Sequence, residues 1–175
     1  MPARLPRRPR PPLDEAALKE LALAYVARFA TSRAKLADYL RRKLRERGWA
    51  GSGEPPVAAI VAKAAEAGFI DDPAYALSRA RALGARGFGE RRVGLALRAA
   101  GIDDDDAAPA RAHARETADE AALRFARRKR LGPFAPTPPD RRESDKALAA
   151  MIRAGHPFDL AKRVLMLPPD FDSET

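Results

Sequence analysis

The sequence contains no cysteine among its 175 residues. Disulfide bonds, zinc sites with thiolate ligands and catalysis by a thiol are therefore excluded. No apolar run approaches the roughly 20 residues that a membrane-spanning helix needs, and the N-terminus lacks the hydrophobic core of a signal peptide. We therefore expect a protein of the reducing cytoplasm with no membrane contact.

Aromatic residues are also scarce, at 6% of the chain, whereas charged residues make up 33%. With so few large side chains the chain cannot fill a deep core. Its abundant alanine, leucine, arginine and glutamate favour helices. We therefore expect an all-α fold that is elongated and made of small, locally packed helical units.

The chain carries a net charge of +9, from 33 Lys and Arg against 24 Asp and Glu. Residues 1–53 hold 13 basic and 5 acidic side chains, residues 54–101 hold 7 and 5, and residues 102–175 hold 13 and 14. Such an excess predicts an anionic partner, either nucleic acid or an acidic protein surface. A coding bias towards arginine and alanine is the alternative explanation.

Both ends of the chain are predicted to lack packed structure. Residues 1–13 are rich in proline and arginine and hold too little apolar surface to offset the entropy of ordering. They are expected to form a disordered basic arm. Residues 168–175 are expected to form a loose tail.

The most informative stretch covers residues 68–102. Gly68 can end a helix with a positive φ angle, and the Asp-Pro pair at 72–73 can begin the next, because aspartate caps free N–H groups and proline suits the first turn. A Gly-Phe-Gly turn at 87–89 then interrupts that helix. Phe88 is predicted to be an exposed aromatic that either anchors a partner or plugs the turn.

An internal repeat is indicated by three glycines, Gly48, Gly101 and Gly155, each at the end of a predicted helix. A leucine or methionine stands four residues before each, and a second apolar residue stands eight residues before. The register predicts three tandem repeats of three helices, about nine in all, over residues 14–67, 72–115 and 116–167. Such units bury their apolar faces by stacking on their neighbours.

Three patterns that could carry chemistry have simpler explanations. The aspartates at 103–106 lack the alternating ligands and glycine of a calcium loop, and they suit the start of a helix. His113 and His156 have no carboxylate or serine at a recognised catalytic spacing. The basic run at 127–130 either complements a helix C-terminus or contacts a partner. We therefore expect no enzymatic activity, no metal and no cofactor.

The stretch GFIDDPAYALSRARALGARGFGERRVGLALRAAGI resembles the central signature of the RecX family, regulators of the RecA recombinase. The family pattern combines an Asp-Asp pair, a basic Arg-x-Arg helix, a glycine turn and a helix that ends in Gly-Ile. Its positions here are Gly68, Asp71, Asp72, Tyr75, Ala76, Arg79, Arg81, Gly87, Gly89, Arg92, Leu97, Gly101 and Ile102. The segment TSRAKLADYLRRKLRERG resembles the family's first block, with Lys35 where an acid is usual.

The resemblance implies a curved array of tandem three-helix repeats that acts in homologous recombination, DNA repair and the SOS response. We expect the chain to be a monomer. It implies a protein that inserts along the groove of the RecA–single-stranded-DNA filament and limits filament growth, ATP hydrolysis and strand exchange. Weak contact of the basic faces with nucleic acid is also expected. The predicted contact residues are Arg79, Arg81, Arg86, Phe88, Arg91, Arg92 and Arg98 in the middle unit, and Arg33, Arg41 and Arg42 in the first.

Two other interpretations stay open. Three-helix units with a basic helix can resemble helix-turn-helix modules, so a direct DNA-binding protein is the main alternative. No helix concentrates the Asn, Gln and Arg typical of base reading, which favours contacts to a backbone or a protein instead. A scaffold without a nucleic-acid partner is the third interpretation, and it would show little salt-sensitive binding to DNA.

Overall fold

A computed structural model describes residues 11–169 of the chain, and the regular structure within that range is helical. It comprises nine α-helices and one short 3-10 helix, Gly132–Phe134, with no β-strand among the described residues. The α-helices are α1 Glu15–Val26, α2 Arg33–Arg47, α3 Val57–Glu66, α4 Asp72–Ala85, α5 Glu90–Ala99, α6 Asp104–Glu116, α7 Ala118–Lys129, α8 Arg141–Arg153 and α9 Phe158–Leu165. The prediction of an all-α fold with nine helices is confirmed for this part of the chain.

The chain divides into two compact units, residues 1–72 and 73–175. The first unit packs α1, α2 and α3 around one apolar cluster. The fully buried leucines of that cluster are Leu13, Leu18, Leu36 and Leu40. The buried leucines of α1 and α2 recur at helical spacing, so each helix turns one apolar stripe inwards.

The second unit contains two apolar clusters. One lies around Val93 and Leu97 and draws on α4, α5 and α6. The other lies around Phe125 and Met151 and draws on α7, α8 and α9. Phe88 packs against both clusters. The division of the chain into three repeats stays a prediction.

The predicted arm and tail fall largely outside the described residues, at 1–10 and 170–175. Leu13, the last residue assigned to the arm, is described and is fully buried, which corrects that assignment. Its N–H donates to the Gly48 carbonyl (3.0 Å), and its own carbonyl accepts from the Ala50 N–H (2.8 Å). These bonds form an isolated parallel bridge between Leu13 and Trp49. Such a contact between segments distant in sequence leaves no trace in composition.

Side-chain caps explain where several helices begin. Ser32 Oγ accepts the Lys35 N–H (3.2 Å) at the start of α2. Asp103 accepts the Asp106 N–H (2.8 Å) at the start of α6. The aspartate run therefore serves a helix N-terminus, where carboxylates complement the helix dipole.

The predicted helix stops are also confirmed. Gly48, Gly101 and Gly155 have φ angles of 83°, 67° and 98°, a region that other residues enter only with strain.

The carboxylate of Asp72 makes a contact that local sequence does not predict. Asp72 is 4% exposed, and it accepts the backbone N–H of Arg33 (3.0 Å) at the first position of α2. Asp72 therefore binds the N-terminus of α2 within the first unit. Within residues 11–169, no helix combines the length and the apolarity that crossing a bilayer requires.

Candidate partner-binding surfaces

Two of the predicted contact residues lie on α4. Ala76, Ala80 and Leu83 are buried on one side of this helix, and Arg79 and Arg81 are exposed. Neither arginine forms an ion pair with a carboxylate of residues 11–169. Both guanidinium groups are therefore free to bind an anionic surface.

The turn between α4 and α5 is held by close backbone contacts. A Cβ atom on Gly87, whose φ is 78°, would lie 2.7 Å from the backbone nitrogen of Phe125. A Cβ atom on Gly89 would lie 2.5 Å from the carbonyl oxygen of Gly155, and the Gly89 N–H donates to the Ala154 carbonyl (3.0 Å). Only glycine permits this approach, so the turn lies directly against α7 and the α8–α9 connection.

Phe88 lies at the centre of this turn and is half-buried, which corrects the prediction of an exposed ring. Its ring packs against both clusters of the second unit because the neighbouring glycines bring the turn close to them. Three guanidinium carbons lie near the ring centroid, those of Arg86 at 5.2 Å, Arg92 at 5.8 Å and Arg128 at 5.7 Å. We call these four residues the Phe88 cluster.

The Phe88 cluster combines three segments of the chain. Arg86 follows α4, Arg92 belongs to α5 and Arg128 belongs to α7. All three arginines are exposed, and none pairs with a carboxylate within the described part of the chain. Sequence reasoning singled out Arg86 and Arg92 but left the basic run that contains Arg128 unassigned.

A second cationic surface is the cleft between α5 and α6, with a volume of about 610 Å³. Its lining residues are Glu90, Arg91, Gly94, Leu95, Arg98, Arg111 and Arg115. Two of the arginines are paired, Arg111 with Asp104 (2.6 Å) and Arg115 with Glu90 (3.4 Å). Leu95 also lines this cleft and is 54% exposed. The cleft therefore combines one exposed apolar side chain with four arginines.

The cleft and the Phe88 cluster divide the predicted residues of α5 between two surfaces. Arg91 and Arg98 face the cleft, whereas Arg92 faces the Phe88 ring. Arg111 and Arg115 were missed because they lie on a helix that the central signature does not include. The only sequence signal for them is their spacing of four residues, which places both on one side of α6.

The predicted contact residues of the first unit have closer acidic neighbours. Arg33 and Arg41 line an open hollow of about 740 Å³ between α2 and α3. Arg41 pairs with Asp38 (3.3 Å), and Arg42 lies 3.7 Å from Glu46. The guanidinium of Arg42 also lies over the Tyr39 ring, 5.6 Å from its centroid. These exposed pairs are weak, but they reduce the net positive charge of this surface.

His156 binds the backbone of the turn that carries Phe88. It is fully buried, and its Nε2 lies 3.0 Å from the Gly87 carbonyl. A carbonyl only accepts, so Nε2 carries the proton and donates. Nδ1 is then unprotonated and is buried without a partner among the described residues. Burial lowers the pKa of His156, and the bond to the Gly87 carbonyl opposes that effect only in part.

Stability should depend on pH through this histidine. In the unfolded chain His156 becomes protonated below about pH 6.5. In the folded protein the pKa of His156 is lower, so the ring takes up that proton only at a lower pH, and acidification therefore favours unfolding. The free energy of unfolding should fall by up to about 1.4 kcal/mol per pH unit in that window. Urea titrations followed by circular dichroism between about pH 7 and pH 5 measure the slope.

His156→Gln is the matched control for the pH dependence. Its amide can still donate to the Gly87 carbonyl but does not titrate, so the fall in stability below about pH 6.5 should be smaller in this variant. An equal fall in both proteins would assign the pH dependence to other groups.

The fold and these surfaces define a class of all-helical proteins with short helices and exposed, arginine-rich faces. No protein-family model matches the chain. Regulatory protein RecX of Myxococcus xanthus (strain DK1622) is 37% identical to it over 168 residues, which cover 91% of this chain and 89% of the relative. Regulatory protein RecX of Mycobacterium sp. (strain JLS) is 38% identical over 96 residues, 54% of this chain and 50% of that relative.

Solved structures agree on the fold. The crystal structure of RecX from Lactobacillus salivarius superposes with a TM-score of 0.68 at 22% identity, over 86% of this chain and 93% of that chain. A second, described as a crystal structure of regulatory protein RecX, gives a TM-score of 0.66 at 22% identity, over 86% and 70%. The chain therefore belongs to the RecX family of regulatory proteins, and the resemblance noted in its sequence is confirmed.

Proposed function

We propose that this protein modulates the RecA recombinase by binding along the groove of the RecA–single-stranded-DNA filament. Bound there, it limits filament growth, ATP hydrolysis and strand exchange. The observation that carries the proposal is the arrangement of arginines on α4 and α5. These helices present Arg79, Arg81, Arg91, Arg92 and Arg98 to solvent without a carboxylate partner from residues 11–169.

Unpaired surface arginines favour association with an anionic assembly for two reasons. They attract the partner over long distances, which raises the association rate. Each guanidinium can also bind a carboxylate or a phosphate with two parallel hydrogen bonds. A filament of protein and single-stranded DNA offers both kinds of acceptor.

The proposed mechanism is occupancy, without chemical conversion of the partner. Three of the groups that could suggest chemistry have structural roles in the described fold. The ring of His156 binds a backbone carbonyl. Asp103 and Asp104 cap α6 and pair with Arg111, respectively. These contacts support a non-enzymatic regulator.

Charge reversal on α4 and α5 tests the proposal. The triple variant Arg79→Glu, Arg81→Glu, Arg92→Glu should lose inhibition of RecA ATP hydrolysis on single-stranded DNA, because attraction to the filament becomes repulsion. Helicity by circular dichroism should stay unchanged, since all three side chains are exposed. The measurement is the RecA ATPase rate as a function of the concentration of this protein.

The matched control reverses three arginines on α8, Arg141→Glu, Arg142→Glu and Arg153→Glu, which are also exposed. It changes the net charge by the same amount at a different place and should keep its inhibition. Full inhibition by the α4–α5 variant would exclude these helices as the contact. Equal loss in both variants would mean that net charge alone matters.

A further inference from the structure

We propose that the Phe88 cluster is a binding site for the phosphodiester backbone of single-stranded DNA, with Arg86, Arg92 and Arg128 each contacting a phosphate. The inference deepens the proposed function and rests on it for the choice of single-stranded DNA. It assigns the nucleic-acid contact to one place and adds Arg128 of α7 to the residues involved.

The arginines of the Phe88 cluster converge on one aromatic ring. Three guanidinium carbons from three separate segments lie 5.2, 5.7 and 5.8 Å from the centroid of one ring. Helix α5 contributes to one apolar cluster of the second unit and α7 to the other, and Phe88 contacts both clusters. The convergence is therefore a property of the tertiary fold, and the ring is the point that the three side chains share.

The Phe88 cluster carries three positive charges around one ring. Like charges so close together repel one another, and no carboxylate of residues 11–169 pairs with any of the three arginines. Attraction to the π face of Phe88 holds the guanidinium groups in place but leaves their charge unneutralised. An anion bound among them would relieve the repulsion. The α5–α6 cleft differs, because two of its four arginines already have carboxylate partners.

Hydrogen bonds hold the turn that carries Phe88 in place without a ligand. The Gly87 carbonyl accepts from buried His156 (3.0 Å). The Gly89 N–H donates to the Ala154 carbonyl (3.0 Å), and the Arg91 N–H donates to the Gly155 carbonyl (3.2 Å). The Phe88 ring is therefore fixed before a ligand arrives, and less conformational entropy is lost on binding.

The extent of the cationic surface favours an extended anionic ligand. The cationic surface continues along the end of α7, where the Arg127 guanidinium lies 5.1 Å from the Phe134 ring centroid. Arg128 also lies over Phe125 (5.5 Å), and Lys129 and Arg130 follow, both exposed. Surfaces that bind single strands without sequence preference combine cations along the backbone path with aromatic side chains. An extended run of this kind suits a chain of phosphates better than one isolated carboxylate.

The test measures DNA binding without RecA. Full-length protein is titrated into a fluorescein-labelled oligothymidylate of about 30 nucleotides, and anisotropy is read from about 25 to 200 mM KCl. The variant Arg86→Gln, Arg92→Gln, Arg128→Gln should bind at least about tenfold more weakly at low salt. Its slope of log K against log[salt] should be shallower by about 2, since each phosphate contact to a single strand contributes about 0.7.

The matched control is Arg141→Gln, Arg142→Gln, Arg153→Gln on α8, which removes the same charge from exposed positions. Its slope should stay close to that of the unaltered protein. Arg128→Gln alone should lower the slope by about 0.7. Circular dichroism and urea midpoints identify any variant that fails to fold, and the single variant then provides the test.

Three outcomes would overturn the inference. The unaltered protein shows no salt-sensitive binding to the oligonucleotide, or both triple variants lose the same slope, or the cluster variant binds DNA normally. In the last case, loss of RecA inhibition by that variant would identify acidic protein side chains as the ligand. DNA binding through the cluster without any RecA inhibition would contradict the proposed function and leave this inference standing.

Discussion

Gly89→Ala should destabilise the second unit by about 3 kcal/mol, an effect at the upper end for a single added methyl group. The new Cβ would lie 2.5 Å from the carbonyl carbon and oxygen of Gly155 and 2.7 Å from the His156 nitrogen. These are backbone atoms, so no rotamer change can relieve the overlap. The turn would have to move away, and the Gly89–Ala154 hydrogen bond would lengthen.

Gly84→Ala is the matched control, because it also replaces a glycine with alanine but at a position five residues earlier in the chain. A Cβ atom at Gly84 meets nothing within 4 Å, and the residue lies inside α4. Alanine should stabilise that helix by about 0.5–1 kcal/mol. Urea denaturation followed by circular dichroism should therefore move the two midpoints in opposite directions. Similar midpoints would show that the close approach of Gly89 and Gly155 is absent in solution.

The Gly89 variant should also affect DNA binding. Displacing the turn moves Phe88, which holds Arg86, Arg92 and Arg128 together. Weaker binding of the oligothymidylate by a Gly89→Ala protein that is still folded would therefore connect the geometry of the turn to the proposed phosphate site.

Leu97→Asp should destabilise the second unit by at least about 4 kcal/mol and lower the melting temperature by about 10 °C or more. Leu97 is fully buried among Val93, Ile102 and the alanines of α6. A carboxylate at this position would lose its hydration and gain no partner, because the surrounding side chains are apolar. Thermal and urea denaturation give the size of the effect.

Leu95→Asp is the matched control, because it also replaces a leucine of α5 with aspartate. Leu95 is 54% exposed and lies two positions before Leu97, on the opposite side of the helix. Its replacement should change stability by no more than about 0.5 kcal/mol. If both variants were equally stable, the assignment of the buried face of α5 would be wrong.

Local signals in the sequence were sufficient for the helices and their ends. Ser32 and Asp103 cap helices because their side-chain oxygens reach free N–H groups within the same turn. Gly101 and Gly155 end helices because they adopt positive φ angles. Such signals act over three or four residues, which is why they can be read from sequence alone.

The candidate site was only partly predictable. The sequence singled out Arg86 and Arg92 as contact residues of the middle unit. It could not show that Arg128 lies over the same ring, because that contact depends on how α7 packs against the turn. The prediction that Phe88 is exposed was wrong for a similar reason. A Gly-Phe-Gly sequence is typical of an open loop, and the sequence does not show which segments its backbone contacts.

The amino-acid sequence by itself predicted an all-α fold, a basic protein and the absence of cysteine chemistry, because composition, capping and periodicity act locally. Its central signature also resembled the RecX family, and the relatives confirmed that membership. Only the tertiary structure decided that Leu13 is buried, that Asp72 binds the start of α2, and that His156 supports the turn beneath Phe88. The physical reason is the separation in sequence between the residues that interact. Each of these contacts joins segments far apart in the chain, and their energies are realised only once the helices have packed.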